Sequence, residues 1–406
     1  MGKTSSILIP TLQHWDGTCY VVDISGDICQ NVAVPNKIIF NPDDMNGALY
    51  NIFFPVDMFE NDADKNEALE QLAFQLMPLE TNMTDTSVFF LTEGRKILTA
   101  AMITYYHQGM DFPQICKRII SSSWSTLFSE IDQNGNYEAK QYINSFEGTN
   151  EKNIAGCKQA CDSALKLFAT NSHVYNAIGR EREGKEAFTP EQLENKNIFV
   201  VIQDSKLELY EPLVHIITAQ CMEYFSNRDN NNQHTILMCL DEFASFGHLE
   251  ITPALRKLRK KHVRIMVLTQ SLADIDLIYG RDERMAMLNN FAYKIVLGCS
   301  DSDTQEYFSR LIGEKEVYRK AVSKNGKQVT NTRTEAKERI VPPAELARLG
   351  RHMILLAEGK YYKLTKNYYF ELDLWDRVKK CINNLSRIQE EDFSEKNTLS
   401  LTDENK

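Results

Sequence analysis

The most constraining feature of the sequence is a set of short apolar runs: Cys19–Asp23 (CYVVD), Ile198–Ile202 (IFVVI), Thr235–Leu240 (TILMCL), Arg264–Thr269 (RIMVLT) and Tyr293–Gly298 (YKIVLG). Each is rich in β-branched or aliphatic residues, and none alternates. A strand with one face in water alternates apolar and polar residues. A strand apolar at nearly every position is covered on both faces, as in a parallel sheet flanked by helices. Ile38–Phe40 and Met353–Ala357 are weaker members of the set. Helical patterns such as Leu213–Phe225 and Pro253–His262 separate the runs, so the fold class is α/β with a mostly parallel sheet.

Between residues 62 and 190 the texture changes. Strand signals vanish and helical stretches follow one another: Glu67–Leu76, Val88–His107, Asn136–Phe146 and Ala155–Thr170. The organisation expected is an α/β domain made of residues 1–61 and 191–375, interrupted by an all-helical insertion at 62–190. Residues 376–406 then form a C-terminal helix and an acidic, aperiodic tail that reads as disordered. Asn325-Gly326 between two strand-like stretches predicts a hairpin. Ser302 with Gln305 fits a capping box opening a helix, and Asn289-Asn290 suits a turn before the strand at Tyr293.

A chain of 406 residues that is 43% hydrophobic has ample material for a buried core, which excludes a mostly disordered protein. The net charge of −10 argues against a surface coated for nucleic acid, so any polyanion contact is local. The nine cysteines are scattered with no CxxC pair, the pattern of a reducing, intracellular compartment. Cys157 and Cys161 continue into Leu165 and Phe168 as one helical stripe, which points to packing rather than to a metal. No apolar run approaches the ~18 residues a membrane span needs, and no signal peptide is recognisable. The localisation expected is cytoplasmic.

Three segments carry chemistry. Gly2-Lys3-Thr4, followed by Ser5-Ser6 and an apolar helical pattern, matches the back half of the phosphate loop G-x-x-x-x-G-K-[ST]. In that loop backbone N–H groups cradle phosphates, the lysine reaches the β and γ oxygens, and the hydroxyl binds Mg²⁺. The run Ile236–Leu240 ends in Asp241-Glu242, which places two carboxylates at a strand tip. One suits the Mg²⁺ shell and the other the attacking water; the alternative is a solvated acidic turn. Gln270-Ser271 ends the next buried run, where an amide can sense a γ-phosphate or simply cap the strand. Asp23, Asp241 and Gln270 are all expected at the carboxyl edge of the sheet, where ligands bind in open α/β folds. Leu255–Arg264 holds six basic residues. It reads as a solvated helix face, as an arginine finger toward a neighbouring subunit, or as a DNA-facing patch.

Together these residues resemble the TraG/TraD-type coupling proteins of conjugation and type IV secretion. The segments that carry the resemblance are Asp241–Leu249, Gln270-Ser271-Leu272, Ile278-Tyr279-Gly280, Gly298–Gly313, the opening Gly2-Lys3-Thr4 with Ile9-Pro10-Thr11-Leu12, Tyr20-Val21-Val22-Asp23, and Phe40-Asn41-Pro42. They run in order over most of the chain. The resemblance implies an FtsK/HerA-type, RecA-like P-loop ATPase that uses ATP and Mg²⁺ and forms a homo-hexameric ring at the inner membrane. Its partners would be single-stranded DNA with its relaxase and the secretion channel. On that reading Gly2, Lys3, Thr4 and Ser5 hold the phosphates, Thr4 and Asp241 hold Mg²⁺, and Glu242 polarises water. Gln270 couples the γ-phosphate to the ring and Arg259 acts in trans, with Arg256 and Arg264 as alternatives.

Two departures qualify the resemblance. Asp23-Ile24-Ser25-Gly26-Asp27 lacks the lysine of the family's DPKGE pattern, which leaves Ser25 without an implied role. Only the GKT end of the phosphate loop is present, so the chain is expected to fold yet hydrolyse ATP poorly. A non-catalytic adaptor of the same fold, or a DNA-pumping motor of segregation or repair, are the rival readings.

Overall fold

The structure is a computed structural model that describes residues 2–79, 83–180, 184–185, 187–325 and 328–371. The C-terminal helix and tail expected at 376–406 lie outside the described residues. The strands are β1 (Thr18–Asp23), β2 (Lys37–Phe40), β3 (Leu49–Tyr50), β4 (Ala187–Phe188), β5 (Asn197–Val201) and β6 (Ile236–Leu240). They continue with β7 (Val263–Val267), β8 (Tyr293–Val296), β9 (Glu314–Asn325), β10 (Gln328–Arg339), β11 (His352–Ala357) and β12 (Lys360–Thr365).

The central sheet has the order β2-β5-β1-β6-β7, and every neighbouring pair in it is parallel. Every residue of β1 and β6 is buried, as their unbroken hydrophobicity demands. Tyr20, Val22, Met238 and Leu240 join one core, which the helix Leu207–Ser226 shares. Cys19, Val21, Leu237 and Cys239 join a second core under Leu8, Ile9 and Leu12. The eight described cysteines are free thiols and all are buried. Among the described residues no helix is long and apolar enough to cross a membrane.

Residues from Asp62 to Ala177 form only helices among those described. Short strands close the neck of this segment: β3 pairs with β4, and Tyr50 bridges Ile178. The helices do not stand off the sheet with a core of their own. One contiguous apolar core runs from Val22 through Phe53 and Phe112 to Phe168, with edge-on ring contacts of 5.5 Å and 5.4 Å at the last two steps. The helix Leu207–Ser226 is the shared wall. Its Gln220 accepts a hydrogen bond from the Tyr50 hydroxyl at 2.5 Å and donates to the Ile52 carbonyl at 3.0 Å.

The structure corrects three expectations. β8 does not join the parallel sheet; it pairs with β11 in an antiparallel sheet of order β12-β11-β8 and leaves Tyr293 65% exposed. Its apolar run therefore reflects an uncovered face rather than double burial. The helix Ser302–Ile312 is capped by Asp301, whose carboxylate accepts the N–H groups of Asp303 and Thr304. Gln305 instead reaches back to the Cys299 carbonyl at 2.9 Å. Asn289 and Asn290 are the last residues of the helix Leu272–Asn290, not a turn. The hairpin strands β9 and β10 pair antiparallel with Asn325 opposite Gln328, and its turn at Gly326 lies outside the described residues.

At the entry to β1, Gly17 lies against the chain that leads into β6. A Cβ placed there would sit 1.9 Å from the Thr235 carbonyl oxygen, a backbone atom with no rotamer to relieve the clash. Gly17→Ala should therefore cost about 1–3 kcal/mol, as overpacked sites do. Denaturant unfolding of the variant beside the parent chain measures it, and an unchanged midpoint would show that β1 enters the sheet by another path.

Candidate nucleotide site

All strands of the central sheet run the same way, so their carboxyl ends collect at one edge. The register pairs Val22 with Leu240, which brings Asp23 and Asp241 to adjacent strand tips. The two aspartates have different surroundings. Asp23 accepts the N–H groups of Cys29 at 2.7 Å, Gly26 at 2.9 Å and Ser25 at 3.3 Å. It closes its own turn, and burial, the leading influence, still holds its carboxyl above the usual range. The Ser25 position thus serves this turn.

Asp241 is 7% exposed, and its Oδ1 is buried with no hydrogen-bond partner. Burial first, then the neighbouring Glu242 charge, push its carboxyl up to about 6, against an opposing effect of Lys3. A buried carboxylate oxygen without a partner is the donor a hard divalent cation takes, so the residue fits a Mg²⁺ ligand.

Glu242 follows in a left-handed conformation (φ 51°), uncommon for a residue with a side chain. Its carboxylate accepts a hydrogen bond from Lys3 Nζ at 2.8 Å and a longer one from Gln270 Nε2 at 3.4 Å, both at Oε1. The turn is knitted to the next strand: the Phe243 N–H reaches the Leu268 carbonyl at 2.9 Å, and the Leu268 N–H reaches the Leu240 carbonyl at 3.0 Å. Thus Lys3, Glu242 and Gln270, distant in sequence, meet beside Asp241.

The start of the chain supplies the basic member. Gly2 adopts φ 103°, and Lys3 caps a π-helical turn, Thr4–Leu8, that continues as the helix Ile9–Gln13. Ser6 fastens this turn by donating its hydroxyl to the Gly2 carbonyl at 2.6 Å. Gly2, Lys3, Thr4 and Ser5 line the same cleft as Glu242 and Gln270.

Arg259 is not brought to this cluster. It opens a short turn before β7, whereas Gln270 follows β7, so the strand separates them by roughly 16 Å at ~3.3 Å per residue. Arg256 donates to Asn290 at 3.3 Å and Arg264 to the Arg259 carbonyl at 3.1 Å, so neither reaches the site. Within one chain the basic segment plays no part at the carboxyl edge.

Tyr279 is a residue whose role sequence reasoning missed. Its ring stacks on Phe243 at 5.4 Å, and its hydroxyl accepts the Leu249 N–H at 3.1 Å while donating to the Gly247 carbonyl at 3.3 Å. His248 packs on the same ring and pairs with Glu283 at 2.9 Å. These contacts hold the segment after Glu242 against the helix Leu272–Asn290. Gly280, at φ 71°, kinks that helix immediately after Tyr279. The tripeptide Ile278-Tyr279-Gly280 was its visible trace in the sequence.

A parallel sheet flanked by helices, with a lysine at a helix start facing a strand-tip Asp-Glu pair, defines a P-loop-type nucleotide-binding fold. The family model described as Type IV secretory system Conjugative DNA transfer matches residues 1–396, and the chain belongs to that family. It is 21% identical over 336 residues to Protein VirD4 of Agrobacterium fabrum, an alignment of 77% of this chain and 48% of the relative. Protein VirD4 of Rhizobium rhizogenes matches to the same extent. The chain thus spans about half the length of these curated relatives. Among solved structures it resembles the unbound conjugative coupling protein TrwBdeltaN70, with a TM-score of 0.70 at 21% identity over 86% of this chain and 78% of that one. It also resembles TrwB in complex with ADP and Mg²⁺, with a TM-score of 0.68 at 20% identity over 87% and 79% of the two chains. At these identities the structures establish the fold.

The raised carboxyl of Asp241 has a pH consequence. Its folded value near 6 lies above the ordinary 3.8, so the folded protein holds this proton more tightly than the unfolded chain. That stabilisation is fully present below about pH 4 and is lost as pH rises through 6; at neutral pH the ionised group costs roughly 2–3 kcal/mol. Asp241→Asn should therefore raise the melting temperature in metal-free buffer at pH 7.5, and the gain should shrink toward zero near pH 4. A gain independent of pH would remove Asp241 as its source.

Proposed function

We propose that the chain is the ATP-driven motor part of a coupling protein of conjugative DNA transfer, linking relaxase-bound single-stranded DNA to a type IV secretion channel. The reading rests on one arrangement: Lys3, Glu242 and Gln270 in hydrogen-bond contact beside the unpartnered Oδ1 of Asp241. Family membership and the nucleotide complexes of TrwB support it. Lys3 holds the β and γ oxygens of ATP, with Gly2 and Ser5 at the start of the helical turn. Thr4 and Asp241 hold Mg²⁺, which when bound bridges phosphate oxygens and offsets their charge. Glu242 takes the proton of the attacking water, and Gln270 senses the γ-phosphate. Arg259, remote from this cluster in its own chain, serves the site of a neighbouring subunit in a homo-hexamer at the inner face of the membrane.

The Lys3–Glu242 ion pair favours a second reading, a weakly hydrolysing adaptor, because each group is engaged by the other. Calorimetric titration with a non-hydrolysable ATP analogue and Mg²⁺, together with phosphate release with and without single-stranded DNA, separates the two. Glu242→Gln should bind the analogue several-fold more tightly, since it releases Lys3 and removes a negative charge facing the phosphates. The same variant should lose on the order of 10²-fold or more in hydrolysis, the usual contribution of a general base. Equal affinity in the parent chain and in Lys3→Ala would overturn the nucleotide site; binding without DNA-stimulated turnover would leave the adaptor.

A further inference from the structure

The sheet carries an unusual edge. β1 and β6 are wholly buried, but in β7, the last strand, only Val263 is buried. Ile265 and Val267 pack partly on one core and Met266 partly on the other, so β7 has an interior strand's sequence without an interior strand's cover. β8 shows the same mismatch: it pairs with β11 along one edge, and Ile295 is 40% exposed. β7 and β8 face one another across a cleft of about 1800 Å³, which Val263–Leu268 and Tyr293–Gly298 both line. That volume exceeds the roughly 300–1,000 Å³ typical of a small-molecule pocket.

Both walls are strand edges. The Ile236 N–H bonds the His262 carbonyl and the Leu268 N–H bonds the Leu240 carbonyl, so even-numbered residues of β7 face β6. The alternation of a parallel ladder turns the N–H and C=O groups of Ile265 and Val267 into the cleft. An apolar edge with free backbone groups is a template for another strand, and natural sheets blunt such edges with charge or cover. Within β7 only Arg264 supplies charge. No described strand enters the cleft, and residues 372–406 contain no unbroken apolar run of strand length.

We propose that the cleft between β7 and β8 is a strand-acceptor site. It takes one extended, uncharged, β-branched-rich segment of about five residues, the length of β7, supplied by polypeptide outside residues 1–406. The segment runs parallel to β7, so its carboxyl end lies beside Gly2, Lys3 and Thr4 at the mouth of the same cleft. Seating it converts β7 into an interior strand and couples strand occupancy to the position of Lys3. The inference concerns a polypeptide ligand and stands apart from the nucleotide reading.

The test is residue-resolved amide hydrogen exchange of the full chain, with no nucleotide present. The probes are a Val/Ile-rich six-residue peptide, the same peptide with its central residues replaced by lysine, and the apolar segment fused ahead of Gly2 through a flexible glycine-containing linker. The apolar peptide at high concentration, or its fusion, should slow exchange at Ile265 and Val267 by about tenfold or more. The lysine peptide should not, and the β6 amides should not change. No slowing with either apolar probe would overturn the proposal, as would equal slowing by the lysine peptide or across β6. Because no nucleotide is used, failure here is distinct from failure of the ATPase reading.

Discussion

The parallel ladder between β1 and β6 is the constraint on which the rest of the structure depends. Both strands are buried on both faces, so their backbone groups are satisfied only by neighbouring strands and their side chains only by apolar contact. Polar groups are admissible only where the strands end. Because all strands of this sheet point the same way, Asp23, Asp241 with Glu242, and Gln270 arrive at one edge as a consequence of packing. The Tyr20 hydroxyl shows how strict the interior is: it is fully buried and bonds Thr218 at 2.8 Å.

At that edge the balance of charges sets the resting state. Lys3 and Glu242 are 24% and 28% exposed, so their pair is worth only about 0.2–1 kcal/mol after solvent screening. A lysine hydrogen bond to a phosphate oxygen contributes about 1.5–3 kcal/mol. Phosphate therefore outcompetes Glu242 for Lys3, and binding frees the glutamate for water. The left-handed backbone at Glu242, held by the Phe243 and Tyr279 contacts, keeps the carboxylate at the edge whichever partner Lys3 has.

Much of this was legible in the sequence where burial is complete. β1, β5 and β6 declared themselves because an unbroken apolar run of five or six residues has few other uses. β8 did not, since an apolar strand awaiting a neighbour reads the same as one that has it. Lys3, Asp241, Glu242 and Gln270 were visible as residue types at strand and helix ends, and the fold brings them together. The distance of Arg259 from them depends on which end of β7 it occupies, and motif order does not encode that. The cap at Asp301 was missed because Ser302 and Gln305 offered an equally good local pattern. The role of Tyr279 rests on a contact across about 30 residues that no local pattern reveals.

Adjacent strand tips make a controlled comparison of two aspartates. Both carboxyls are raised by burial, and both stand at the edge where a ligand would bind. Asp23 spends its lone pairs on three backbone N–H groups of the following turn, which a glycine at φ 81° makes possible. After β6 the chain instead turns left-handed at Glu242, and the Oδ1 of Asp241 is left without a donor. The same residue type at equivalent ends of neighbouring strands thus acquires opposite roles. What separates them is the direction in which the following backbone presents its N–H groups.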